Sequence, residues 1–287
     1  MQFMILYTLN GLSFSAILFM ISIGFSIIIG LMRVVNLSQG AVFVLAAHIG
    51  VTIFEKTGSF TIAIICGGLS AAILGAFIEH FLIGQLYGKR FEQVLMTMGI
   101  MFIIDDLTLY AWGGYSLQNH PPSMLSGPVS VLGVTFPSYR LVMIFVGIIA
   151  AIGMWFLTER TKFGAIVRAG ADNSEMTQAM GINVKRVFLL TFSFGALLVG
   201  VAGVLASPMF ALQPGMSMQF LSLAIVVITV GGMGSLPGVV VGSLFVGLLD
   251  SFGKVLFPNF ASFTLFVPMA LVLVIKPSGL LGRHNWS

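Results

Sequence analysis

"RAGADNSEMTQAMGINVKRVFLLTFSFGALLVGVAGVL", Arg168 to Leu205, joins two kinds of sequence that need different solvents. Its second half opens an apolar run from about 187 to 206. That length suits a helix crossing a bilayer, which takes about 20 residues. Its first half carries Arg168, Asp172, Glu175, Lys185 and Arg186 with Asn, Ser, Thr and Gln between them. Such a segment is too polar for lipid, yet it has helical signals. Asp172, Asn173 or Ser174 can cap a helix, with Glu175 in the first turn countering the orphan N–H groups and the macrodipole. Gly181 closes it about two turns later, as a left-handed C-terminal glycine does. Met176, Ala179 and Met180 form one apolar stripe between these ends. Two turns are too few for a helix to be stable alone, so it needs something to pack against. Two roles are open: a loop resting on the membrane surface, or a peg docking into a cleft of a partner.

Outside this stretch the chain of 287 residues is 58% hydrophobic and only 8% charged, with a mean hydropathy of +1.08. Soluble domains average about 25% charged residues. So few ionic groups cannot cover a water-facing surface, which predicts an all-α polytopic membrane bundle. Spans are expected at 7–31, 36–54, 60–84, 94–112, 139–157, 187–206, 218–232, 237–256 and 262–276. The seventh is short and is separated from the eighth only by "GGMGSLPG", so that pair is a candidate re-entrant hairpin and the count is eight or nine. The first run is longer than a signal-peptide core, lacks a basic leader, and is read as a retained membrane helix. Cys66 lies within an apolar run and offers no internal disulfide. The net charge of +4 is accounted for by the membrane, with no need of nucleic acid.

Positive loops stay cytoplasmic. Arg33, Lys89, Arg90, Arg160, Lys162, Arg168, Lys185, Arg186, Lys276 and Arg283 fall on one side, against Lys56, Arg140 and Lys254 on the other. The C-terminus and the polar segment are therefore expected inside, and the Pro-rich loop 113–138 outside.

Four stretches, in order, resemble the permeases of the branched-chain amino-acid family of ABC importers. They are "NGLSFSAILFMISIG" from Asn10, "GLMRVVNLSQGAVFVLAAH" with Asn36 to Gly40, the opening stretch with Gly181-Ile182, and "GGMGSLPGVVVGSLFVGLLD" from Gly231. "KPSGLLGR" resembles the family's closing tail, so the likeness runs from about 7 to 283. It implies a single transmembrane permease domain over 1–287 in a bacterial inner membrane, with a cytoplasmic coupling loop at about 158–187. In that loop Asp172, Glu175, Met176, Ala179, Met180, Gly181 and Ile182 would meet an ATPase. It also implies a second related permease, two ATP-binding subunits and an external solute-binding protein. Branched-chain amino acids are the family's default solute; related permeases carry other amino acids, urea, amides and small organic acids.

The chain has no phosphate loop of its own: Gly88-Lys89 is followed by Arg and Gly253-Lys254 by Val, and neither has the upstream glycine. ATP and Mg would thus sit on partner subunits. G-x-S-x-G and H-E-x-x-H are absent, which argues against an intramembrane enzyme. The four His residues are too scattered for a metal site, and His48 reads as a hydrogen-bonded interior residue.

Ionisable groups at membrane depth each invite a reason. Glu79 is expected to snorkel to the cytoplasmic end of its span. Asp250 has two readings, facing the bundle interior or pairing with Lys254 one turn on. Asp105 and Asp106, near the middle of the fourth span, depart from the Gln-Asn more usual in the family. They read as a hydrogen-bonded knot between helices or as a site for a cationic group. Asn36, Ser38 and Gln39 flank a break in the helix pattern, where they would cap the second helix with Asn36 as N-cap, line a solute route, or do both. With Asp105, Asp106 and Asp250 they make up the candidate substrate pathway. A proton-coupled secondary transporter relaying through Asp105, Asp106 and Asp250 is the rival reading. Small residues such as Gly195, Gly200, Gly203 and the Gly238–Gly242 pair suit close helix packing or dimerisation.

Overall fold

The computed structural model describes residues 2–32, 34–116, 118–131, 133–256, 258–260 and 263–282. Arg33, Arg283, His284 and the side chain of Asp172 lie outside the described residues. Among the described residues, seven helices are long and apolar enough to cross a membrane. They are α1 (Gln2–Met32), α2 (Gln39–Thr57), α3 (Phe60–Phe81), α4 (Arg90–Trp112), α5 (Ser138–Arg160), α8 (Val184–Ala206) and α10 (Leu236–Leu256). Two further apolar helices are shorter, α9 (Ser217–Gly231) with 15 residues and α11 (Phe263–Ile275) with 13. At 1.5 Å per residue these reach about 22 and 20 Å, short of the roughly 30 Å hydrocarbon core. The expected spans fall on these nine helices to within about a turn and a half at each end. The polar segment folds into α6 (Lys162–Asp172) and α7 (Ser174–Ala179). The Pro-rich loop carries a small ribbon that hydropathy did not signal, β1 (Pro128–Val131) antiparallel to β2 (Val134–Pro137), with Val129 opposite Phe136. Exposed apolar side chains line the long helices, among them Ile73 and Phe77 on α3, Leu107 on α4, and Phe145 and Ile149 on α5. Lipid is the solvent that suits them.

The chain forms two compact units, one of residues 1–22, 120–152 and 223–287, the other of 23–119 and 153–222. In the second unit α8 is the hub, and its glycines are spent on contacts within the chain. A Cβ on Gly203 would lie 2.3 Å from the Phe43 carbonyl oxygen of α2, and one on Gly200 would lie 2.4 Å from Ala71 Cβ of α3. Gly195 packs in the same way against Gly24 and Ile28 of α1. In the first unit Gly238 and Gly242 press α10 against α9: their Cβ positions would each fall 2.4 Å from a carbonyl oxygen, of Gly231 and Val227 respectively. Of the two uses open to these small residues, helix packing inside the chain is the one seen.

The α9–α10 hairpin is closed by the tail that follows α11. Leu280 N–H donates to the Val230 carbonyl at 2.8 Å and Leu281 N–H to that of Gly231 at 2.9 Å, so the last carbonyls of α9 find partners outside their own helix. Gly279, at φ 79°, lets the tail lie against Gly232, whose Cα would be 2.6 Å from an added Cβ. The C-terminal ends of α9 and α11 are thereby on the same side of this unit.

Candidate functional site

Two breaks in the helical pattern meet inside the second unit. Between α1 and α2 residues 34–36 are non-helical and 37–38 form a turn, and Ser38, rather than the expected Asn36, occupies the N-cap position of α2. Asn36 sits two residues earlier, where its Oδ1 accepts from Ser38 N–H at 3.1 Å and Ser38 Oγ at 2.6 Å, as Asn does in an Asx turn. Leu37 N–H donates to Thr97 Oγ1 of α4 at 3.1 Å. Thr97 is seven residues into α4, about 10 Å from its start.

The second break is the connector between α8 and α9. Ser217, the first residue of α9, donates its hydroxyl to Asp105 Oδ1, and the Gly215 backbone also hydrogen-bonds this carboxyl. Asp105 is seven residues before the end of α4 and four beyond its midpoint, near the middle of the helix as the sequence leads one to expect. The two breaks touch directly: a Cβ on Gly40 would fall 2.2 Å from the Ser217 carbonyl oxygen. Non-helical backbone at membrane depth persists where protein buries it or where it lines a cavity.

The junction is polar and closed. Asn36, Ser38, Gln39, Thr97 and Ser217 are all buried. Gln39 is only 2% exposed, yet among the described residues neither its Nε2 nor its Oε1 has a hydrogen-bond partner. Such a group costs about 1–3 kcal/mol when left unsatisfied. His48 is also buried, with Nδ1 on the Val44 carbonyl at 2.8 Å, as an interior histidine was expected to be. Its Nε2 has no partner among the described residues, and its ring meets the Trp112 ring at 5.7 Å.

The carboxylates divide. Asp105 makes a hydrogen-bonded link between helices, to Ser217 of α9, whereas Asp106 is exposed, since consecutive helical residues point about 100° apart. Asp250 belongs to the other unit, where both of its expected roles hold: it is buried, and Lys254 Nζ lies 2.7 Å from its Oδ2. Glu79 departs from its reading. It is 4% exposed and accepts from Tyr87 Oη at 2.6 Å, because the turn before α4 folds back over it. Thr97 and Ser217 were missed. Pro214-Gly215 was the available signal for the second break.

On the polar segment, Thr161 caps α6, a helix the sequence reading did not separate. Asn173 settles the choice of cap for α7, accepting from Met176 N–H at 2.9 Å. Gly181 takes φ 82° just beyond it, as expected. Thr177 is the buried residue of α7, while Glu175 and Ala179 are exposed and Met176 and Met180 are 63% and 76% exposed. Alongside runs a shallow hollow lined by Gln178, Gly181, Ile182 and Asn183. The apolar stripe is thus presented outward from a rigidly capped turn.

Comparison with known proteins agrees with this architecture. The chain is 24% identical to the high-affinity branched-chain amino acid transport system permease protein BraD of Pseudomonas aeruginosa, covering 96% of this chain and 94% of BraD. It is also 24% identical to LivH of Escherichia coli K12, a permease protein of the same description, over 96% and 94%. Among solved structures, PsaBC from Streptococcus pneumoniae in complex with Fab shares the fold at a TM-score of 0.52 and 14% identity, covering 93% of this chain and 89% of that one. Residues 7–276 match the family described as the permease component of branched-chain amino acid transport systems, and the chain belongs to that family.

Proposed function

We propose that this permease works as one transmembrane domain over residues 1–287 of an ATP-driven importer for branched-chain or other amino acids. It would sit in a bacterial inner membrane with the tail and the 158–187 loop cytoplasmic. Its partners would be a second related permease, two ATP-binding subunits holding ATP and Mg, and an external solute-binding protein. The observation that carries this reading is α7, a capped turn holding Met176 and Met180 out for a partner. Ala179, Gly181 and Ile182 continue its surface, Glu175 gives it an acidic shoulder, and Asp172 is assigned to the same docking element from its place in the sequence. The relatives' descriptions support the solute class. Gentle purification of the tagged chain from its host's membranes should bring phosphate-loop ATPases with it, and recovery of the chain alone would sink the proposal.

The solute route is assigned to the junction of Asn36, Ser38, Gln39 and Asp105. A proton relay draws less support, since Asp105 is held by Ser217, Asp250 by Lys254, and Asp106 is exposed. The free amide of Gln39 is the group with capacity to spare for a passing polar solute. Gln39→Met is therefore expected to cut uptake of radiolabelled leucine, isoleucine and valine at least about tenfold. The melting temperature should hold or rise, since an unsatisfied amide gives way to an apolar chain of similar shape. Undiminished uptake would remove Gln39 from the route.

A further inference from the structure

The bond between Glu79 and Tyr87 stands outside the junction, at the end of α3 nearest the polar segment. Tyr87 lies in the turn between α3 and α4, three residues before α4 begins. While its hydroxyl holds the buried Glu79, its ring lies 5.4 Å from that of Phe188, centroid to centroid. Phe188 is buried in the first turns of α8, immediately after the α6–α7 segment. Phe188 also meets Gly170 of α6, where an added Cβ would lie 3.5 Å from Phe188 Cε1. Phe188 therefore bridges the polar segment and the α3–α4 turn.

The parts on either side of this bridge are stiff. α3 and α8 pack through small residues along their length, with Gly75 against Ala196 and Gly200 against Ala71. The turn is tied to α4 by Gln93 Nε2, which donates to the Leu86 carbonyl at 2.9 Å. Burial, followed by the bond to Glu79, pushes the Tyr87 phenol up from its ordinary value, so the hydroxyl keeps its proton and stays a donor. Farther along, α4 carries Thr97 and Asp105, the two residues that hold the breaks.

We propose that Tyr87 is a positioning residue that fastens α4 to the base of α8, so that movement of the α6–α7 segment reaches Thr97 and Asp105. This rests on the reading of α7 as the ATPase-docking element. Without the clamp, α8 would still be moved through the chain itself, while α4 would lag.

The test uses the assembled importer, with Cys66, the single native cysteine, replaced by alanine. Spin labels go on exposed Leu190 of α8 and exposed Tyr110 of α4, and their separation is measured with and without trapping by ATP and vanadate. The parent is expected to change its label distance on trapping. Tyr87→Phe, which keeps the ring on Phe188, should lose at least about half of that change while trapping the same amount of nucleotide. Glu79→Gln, whose amide oxygen still accepts, should behave like the parent. A full distance change in Tyr87→Phe, or none in the parent, overturns the clamp while leaving ATPase docking intact. Equal losses of distance change and trapped nucleotide in both variants would mark a plain folding role and also overturn it. A parent that assembles with no ATPase traps no nucleotide at all; that result removes the docking reading, and the clamp with it.

Discussion

Alanine at Gly40 is expected to reduce uptake of radiolabelled leucine, isoleucine and valine to about a hundredth or less. The added Cβ would stand 2.2 Å from the carbonyl oxygen of Ser217, 2.9 Å from its carbonyl carbon and 3.1 Å from Leu221 Cβ. Two of these three atoms are backbone, so relief requires the start of α9 to move. Overpacking of this kind costs about 1–3 kcal/mol, occasionally more. The larger effect is on geometry: Ser217 leaves Asp105, and the two breaks part where the solute route is assigned. Gly99→Ala is the control, because nothing lies within 4 Å of its Cβ position on exposed α4 surface. There the exchange should be neutral or stabilising by up to about 1 kcal/mol, as Gly→Ala within a helix is. Full uptake in Gly40→Ala with an unchanged melting temperature would show that the breaks do not touch in the membrane.

Aspartate at both Met176 and Met180 is expected to strip the ATPases from the complex while leaving this chain folded. Full burial of a Met side chain gains about 1.5–3 kcal/mol, so the pair contributes roughly 3–6 kcal/mol to docking. At 1.4 kcal/mol per decade that is about two to four orders of magnitude in affinity, before any added charge is desolvated. The effect on the chain's own stability should stay within about 0.5 kcal/mol, because both side chains are already exposed. Co-purification followed by a melting curve separates the two quantities. ATPases retained at wild-type level would show that docking does not use this stripe.

The span pattern was legible because twenty apolar residues between polar turns have few other uses, and the short α9 announced itself by length. The α7 turn was legible for a local reason: an Asn cap and a left-handed glycine act within a few residues of themselves. What stayed hidden depended on distant partners. Hydropathy cannot tell that the α1–α2 break reaches Thr97, sixty residues on, or that Ser217 reaches back to Asp105. Asp105 and Asp106 look equivalent in sequence, and only the helix phase separates the half-buried one from the exposed one. Glu79 looked able to reach water because Tyr87 covers it from a turn that carries no hydropathy signal. α6 was passed over because its charges resembled those of a loop.

The tail that closes the α9–α10 hairpin bears on biogenesis. Leu280, which satisfies the Val230 carbonyl, is made fifty residues after it. At about 5–20 residues per second, a ribosome needs roughly 3–10 s to cover that distance. Throughout that interval α9 has been synthesised with two terminal carbonyls still lacking their partners. Unsatisfied backbone is not tolerated in hydrocarbon, so the insertion machinery must shelter the hairpin or hold it near the headgroups until Leu280 and Leu281 arrive. A nascent chain stalled before Leu280 would carry an α9 whose last two carbonyls lack the partners that the finished chain supplies.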